Sequence, residues 1–74
     1  MNKARREAIS KVLDKLNEIG LDLSQVRDEE QEAYDNMPES LQNSEKGNMM
    51  EENIDVLDSA IYSLEEIYDQ LGDL

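Results

Sequence analysis

The chain contains no cysteine, histidine, tryptophan or phenylalanine. Without cysteine there is no disulfide, thiolate nucleophile or thiolate metal ligand, and the composition suits a reducing compartment. Without histidine the commonest general base and zinc ligand is missing, as is the Glu-x-x-His pattern of di-iron bundles. A single proline and three glycines leave few points where regular structure must stop. No apolar run approaches the roughly 20 residues of a membrane span, and the basic start from Met1 to Arg6 leads into no signal-peptide core. Basic residues are scarce too: 7 Lys and Arg stand against 19 Asp and Glu, for a net charge of −12. The expected setting is soluble and cytoplasmic, away from membranes.

What is present is one apolar pattern written twice, in mirror image. Ile9, Val12, Leu16, Ile19, Leu23 and Val26 advance in alternating steps of three and four. Read backwards, Leu71, Tyr68, Leu64, Ile61, Leu57 and Ile54 do the same, and the paired position numbers always sum to 80. A period of 3.5 marks a helix that buries one seam against another helix. A mirror centre near residue 40, close to Pro38, marks a chain that doubles back. The expected fold is all-α: a single domain over residues 1–74, with a helix over about 2–36, a turn over about 37–43 and a helix over about 44–71, forming an antiparallel helical hairpin.

Gly20 permits two treatments, a C-cap with Ser24 opening a new helix, or a continuous helix. The unbroken phase from Ile19 to Leu23 favours continuity, at a cost of about 1 kcal/mol. Pro38 cannot continue a helix and holds Met37 away from helical geometry. Glu39 can begin a short helical turn that folds Leu41 inward, and Ser44 is placed to cap the helix that follows. Met37, Met49 and Met50 cluster near the turn, as core filling or as an adaptable patch. One seam offers little apolar burial against the entropy of ordering the whole chain, so a homodimer closing into a four-helix bundle is expected.

Charge is unevenly spread. Residues 1–15 hold Lys3, Arg5, Arg6, Lys11 and Lys15 against Glu7 and Asp14, a balance of +3. The other 59 residues hold 17 acids against Arg27 and Lys46, a balance of −15. In a hairpin the basic start lies beside the acidic end, which suggests pairing of Lys11 and Lys15 with Glu65, Glu66 and Asp69, and of Arg5 with Asp73.

Catalysis has no support, because the serines lack a partner base and a two-helix rod offers no deep pocket. A metal site fares little better. Asp22 to Asp28 lacks the central glycine of a calcium loop, and Glu30, a charge at a core position, is more simply a snorkelling glutamate. The acidic faces remain. Asp28, Glu32, Asp35 and Glu39 recur at helical spacing with Glu29 alongside, and Glu51, Asp55 and Asp58 form a second row with Glu52 nearby. Carboxylates three or four residues apart lie about 5–6 Å apart on a helix, comparable to successive phosphates along a nucleic-acid strand. A stiff rod so decorated can fill a basic cleft in another protein, while repelling nucleic acid itself. The plain alternative is a solvated face that maintains solubility. Against it stands the size of the charge, since roughly 2–8 suffices for a small domain. Tyr34, at the edge of the seam, is a candidate anchor for such a contact; Tyr62 falls off the seam among acids.

The stretch from Arg27 to Gln42, with its Tyr34-Asp35-Asn36-Met37-Pro38-Glu39-Ser40-Leu41 elbow and the acidic Ile/Leu helix beyond it, resembles a group of small proteins encoded by bacteriophages and prophages. The likeness covers most of the chain, and the elbow is its most particular part. It implies a phage or mobile-element setting, an accessory role and no active site. By analogy, small acidic phage proteins inhibit host enzymes that handle nucleic acid or defend the cell. The expected function is therefore a non-enzymatic acidic module that binds a protein with a basic surface, acting as a nucleic-acid mimic. The rival is a coiled-coil assembly adaptor working through its apolar seam. A third, weaker possibility has the basic N-terminus touching nucleic acid.

Overall fold

The computed structural model describes all 74 residues, Met1–Leu74, as three helices and no strand: α1 Lys3–Asp35, α2 Glu39–Gln42 and α3 Glu45–Gly72. α1 and α3 pack against each other as a rod of 58 × 15 × 12 Å, and α2 caps one end by packing on α3. No helix is long and apolar enough to cross a membrane.

Each boundary has a local cause. Asn2 caps α1, its side chain accepting from the Arg5 amide at 2.9 Å, a contribution of about 1 kcal/mol. α1 runs unbroken through Gly20. It stops at Asp35, where Asn36 becomes the C-cap and the Met37 amide turns to the Tyr34 carbonyl at 3.1 Å, just ahead of Pro38. The Pro38 carbonyl then accepts from Leu41 and Gln42 at 2.9 and 3.0 Å, which starts α2. Ser44 opens α3: its hydroxyl accepts from the Gly47 amide at 3.4 Å and donates to the Leu41 carbonyl. The expected turn at Glu39 is present, but Leu41 is 48% exposed. Gln42 turns inward in its place, donating from Nε2 to the Tyr34 carbonyl at 3.0 Å. That amide satisfies a helix-end carbonyl, which a leucine side chain cannot do.

The seam keeps the expected period but not the expected phase. On α1 the less exposed positions are Ile9, Leu13, Leu16, Gly20, Leu23, Arg27, Glu30 and Tyr34, with Ser24 and Gln31 beside them and Met37 continuing the row past the helix end. Val12, Ile19 and Val26, expected in the seam, are instead 41%, 47% and 50% exposed. One feature draws the alternate layers round by one residue. Arg27 and Tyr34 extend across the interface to carboxylates on α3. On α3 the expected Ile54, Leu57, Ile61, Leu64 and Leu71 do face inward, Ile54 being the most buried at 7%, while Tyr68 is 41% exposed. Met37 and Met50 are half-buried and Met49 is exposed. Glu30 is half-buried and accepts from Asn53 Nδ2 at 3.3 Å.

The register also differs. The hydrogen-bonded pairs that cross the seam (Arg27 with Asp58, Tyr34 with Glu51, Glu30 with Asn53) have position numbers adding to 85, 85 and 83 rather than 80. α3 has slid by about one turn relative to the mirror-image expectation. Its first turn lies under α2, with Gly47 against the Gln42 backbone, and is not available to pair with α1. Leu16 and Leu64 still line one groove, as they must in any hairpin close to that register.

The expected pairing of the basic start with the acidic end does not form. The ion pairs are Lys3–Glu7 at 4.0 Å, Arg27–Asp28 at 3.6 Å and Arg27–Asp58 at 2.8 Å. Lys15 precedes the seam residue Leu16, whereas Glu65 and Asp69 follow the seam residues Leu64 and Tyr68. One residue turns a helix by about 100°, so these charges point to opposite sides of the rod.

Candidate functional site

The same rotation sorts the side chains that flank the seam onto two faces. Leu21 follows Gly20 on α1, and Asp69 follows Tyr68 on α3; both line the same groove. Because the helices are antiparallel, one step forward from the seam reaches the same side on each. On α1 that step gives Asp28 after Arg27 and Asp35 after Tyr34. On α3 it gives Glu51 after Met50, Asp55 after Ile54 and Asp58 after Leu57. Five of the ten residues proposed from sequence therefore share one face, and all five are exposed.

The other five are dispersed. Glu32 and Glu52 point outward from their own helices, and Glu29, one step before Glu30, tips toward the opposite side. Glu39 stands in the first turn of α2, where a carboxylate complements the helix dipole. Tyr34 is half-buried in the seam beneath the acids, its hydroxyl donating to Glu51. It positions a carboxylate rather than offering an open ring. Sequence reasoning left three acids that the forward step adds, Asp14, Glu65 and Asp69, out of the face, and noted Tyr62 only as an off-seam tyrosine among acids. Tyr62, 63% exposed, stands in the α3 row between Asp58 and Glu65, and the signal for it was its place one residue after Ile61.

Four of the five face carboxylates are held by neighbours. Arg27, with its side chain 29% exposed, bonds Asp58 through Nε at 2.8 Å and reaches Asp28 at 3.6 Å. Gln31 Nε2 donates to Asp35 at 2.9 Å, and Tyr34 donates to Glu51. Only Asp55 has no such partner. Arg27 is the only base between Lys15 and Lys46; its hydrogen bond to Asp58 pushes its pKa above the ordinary arginine value. Side chains already fixed lose less entropy when a partner binds. Two shallow grooves of about 220 and 200 Å³ lie along the rod, the first beside Leu16, Gly20, Ile61 and Tyr68. No group of three acids converges to hold a metal ion.

The hydrogen bond to Glu51, with smaller effects of burial and of Coulomb interaction with Glu51 and Asp35, raises the Tyr34 pKa above the usual value near 10. A raised pKa in the fold stabilises it at pH below the ordinary tyrosine value. That contribution disappears as pH climbs through the raised value. In an alkaline titration followed by tyrosinate absorbance, one of the three tyrosines is expected to ionise late. Tyr34→Phe should remove that step and Glu51→Gln should move it back toward the ordinary range. A late step that survives both substitutions would disprove the Tyr34–Glu51 bond.

Fold and site together define an all-helical hairpin with one acidic, hydrogen-bonded face. No protein-family model, curated protein or solved structure matches the chain.

Proposed function

We propose that this chain is a non-enzymatic acidic binding module, a homodimeric four-helix bundle that occupies the basic, nucleic-acid-binding surface of another protein. The observation that carries this reading is the gathering of Asp28, Asp35, Glu51, Asp55 and Asp58 on one side of a stiff rod. Their carboxylates recur every three or four residues along α3 and are largely fixed by neighbours, as a mimic of a charged strand requires. The resemblance to small bacteriophage and prophage proteins supports a phage-encoded inhibitor of a host or defence factor, acting in the cytoplasm. The exposed Val12, Ile19 and Val26 favour a second reading, an assembly adaptor that presents an apolar stripe.

Charge-matched triple variants separate face from total charge. Asp28→Lys, Asp35→Lys and Asp55→Lys change the acidic face; Glu29→Lys, Glu32→Lys and Glu52→Lys change the edges by the same amount. Immobilised wild-type protein should retain from a bacterial lysate a basic protein that is released by salt and by excess duplex DNA. The face triple should weaken that retention at least tenfold while its helical circular dichroism is unchanged, and the edge triple should weaken it far less. Equal losses from both triples would reduce the site to bulk charge. Retention that survives the face triple would refute the acidic-face reading.

A further inference from the structure

One step backward from the seam reaches the side opposite the acidic face on both helices. On α1 it gives Val12, Ile19 and Val26, one heptad apart and each 41–50% exposed, alternating with Lys15, Asp22 and Glu29. On α3 it gives Val56 before Leu57, Ala60 before Ile61 and Ile67 before Tyr68; Val56 is 67% and Ile67 42% exposed. The row at alternating steps along this side of α3 reads Lys46, Met49, Asn53, Val56, Ala60, Ser63, Ile67, with no carboxylate in a helix that carries eight. The acids of α3 are confined to the other half of its circumference.

We infer that this largely apolar face, free of acids along α3, is closed by a second copy of the chain. Three arguments select that occupant. The protomer buries a single apolar side chain, Ile54, far short of what a chain of this length needs to offset its conformational entropy. The rod is 58 Å by 15 Å in outline, so one face spans about 900 Å², matching the roughly 800 Å² per partner of a standard stable interface. Charge decides the identity. Each copy carries −12, and this is the long side on which two copies meet while keeping nearly all their carboxylates apart. A basic partner gains nothing from it. The pairing leaves both acidic faces outward, so the bundle presents two equivalent binding surfaces. The inference names the interface of the dimer proposed above and does not depend on what the acidic faces bind.

Sedimentation equilibrium of the full chain reads it directly. Wild type should show the mass of two 8.5 kDa chains at micromolar concentration, and its thermal midpoint should rise with concentration, as mass action requires. Ile19→Lys and Val56→Glu alter side chains that the protomer leaves 47% and 67% exposed, and each should weaken self-association at least tenfold. Tyr62→Lys, on the acidic side, should leave the dimer intact, as should the Asp28, Asp35 and Asp55 triple, so failure here is distinct from failure of the acidic-face reading. If a variant monomer also loses helicity, the concentration dependence of the wild-type midpoint still decides. A wild-type monomer whose midpoint is independent of concentration overturns the inference. So does an assembly whose mass neither Ile19→Lys nor Val56→Glu changes.

Discussion

Gly47→Ala is expected to destabilise the protein by about 1–3 kcal/mol, against a gain of up to about 1 kcal/mol from Gly20→Ala. Both glycines lie within helices and neither has positive φ, so backbone freedom does not distinguish them. Space does. A Cβ on Gly47 would come within 2.7 Å of Gln42 Cα and closer still to its carbonyl group. Those are backbone atoms of α2, which cannot rotate aside as a side chain would. Relief requires lifting α2 from α3, which endangers the Gln42 bond to the Tyr34 carbonyl and the Ser44 cap. A Cβ on Gly20 meets nothing within 4 Å, so there alanine only removes the helix penalty of glycine. For a domain of 60–100 residues each kcal/mol moves the thermal midpoint by roughly 4–8 °C. At one fixed protein concentration the two midpoints should therefore move in opposite directions. A Gly47→Ala protein as stable as wild type would show that α2 does not press on α3.

The second large effect is expected at Ile54. It is the only apolar side chain below a tenth exposed, and it lies at the turn-proximal end of the α3 seam beside Asn53, whose amide holds Glu30. Ile54→Ala removes its packing and leaves a gap that the surrounding helices only partly close, at roughly 2–5 kcal/mol. The lower end applies, because a two-helix rod collapses around a gap more readily than a globular core. Leu21→Ala, at a position 65% exposed, should fall within about 0.5 kcal/mol of wild type. Urea midpoints at one protein concentration make the comparison. Equal, small losses at both positions would mean that the seam is not organised around Ile54.

The apolar period made the hairpin legible, and Ile54, Leu57, Ile61 and Leu64 announced the inner side of α3 correctly. The inner side of α1 was misjudged for a physical reason. Positions 12, 19 and 26 and positions 13, 20 and 27 satisfy the same heptad, and an apolarity count prefers Val12, Ile19 and Val26 to a set containing Gly20 and Arg27. Arginine holds its place by reaching a carboxylate across the seam, which is not visible as hydrophobicity, and Gly20 keeps the seam phase with open space around it. The register slipped for a related reason. Mirror symmetry treats the elbow as empty, whereas α2 has volume and occupies the first turn of α3, with Gly47 the only sign of that contact in the sequence. The consequence for the site is direct. A rotation of one residue decides that Asp28 and Asp35 stand with Glu51, Asp55 and Asp58 while Glu29 and Glu32 do not, so helical spacing alone collected ten candidates and could not divide them.

Everything proposed for either side of the rod depends on which residues meet across the seam within one chain. Nuclear Overhauser spectroscopy tests that most directly, because three tyrosines give few and separable ring signals. In a sample mixing labelled and unlabelled chains, the Tyr34 ring should show cross-peaks to the side chain of Glu51 that arise within a single molecule. Cross-peaks from Tyr34 to Lys46 instead, or to Glu51 of a neighbouring chain only, would contradict the register and dissolve both faces.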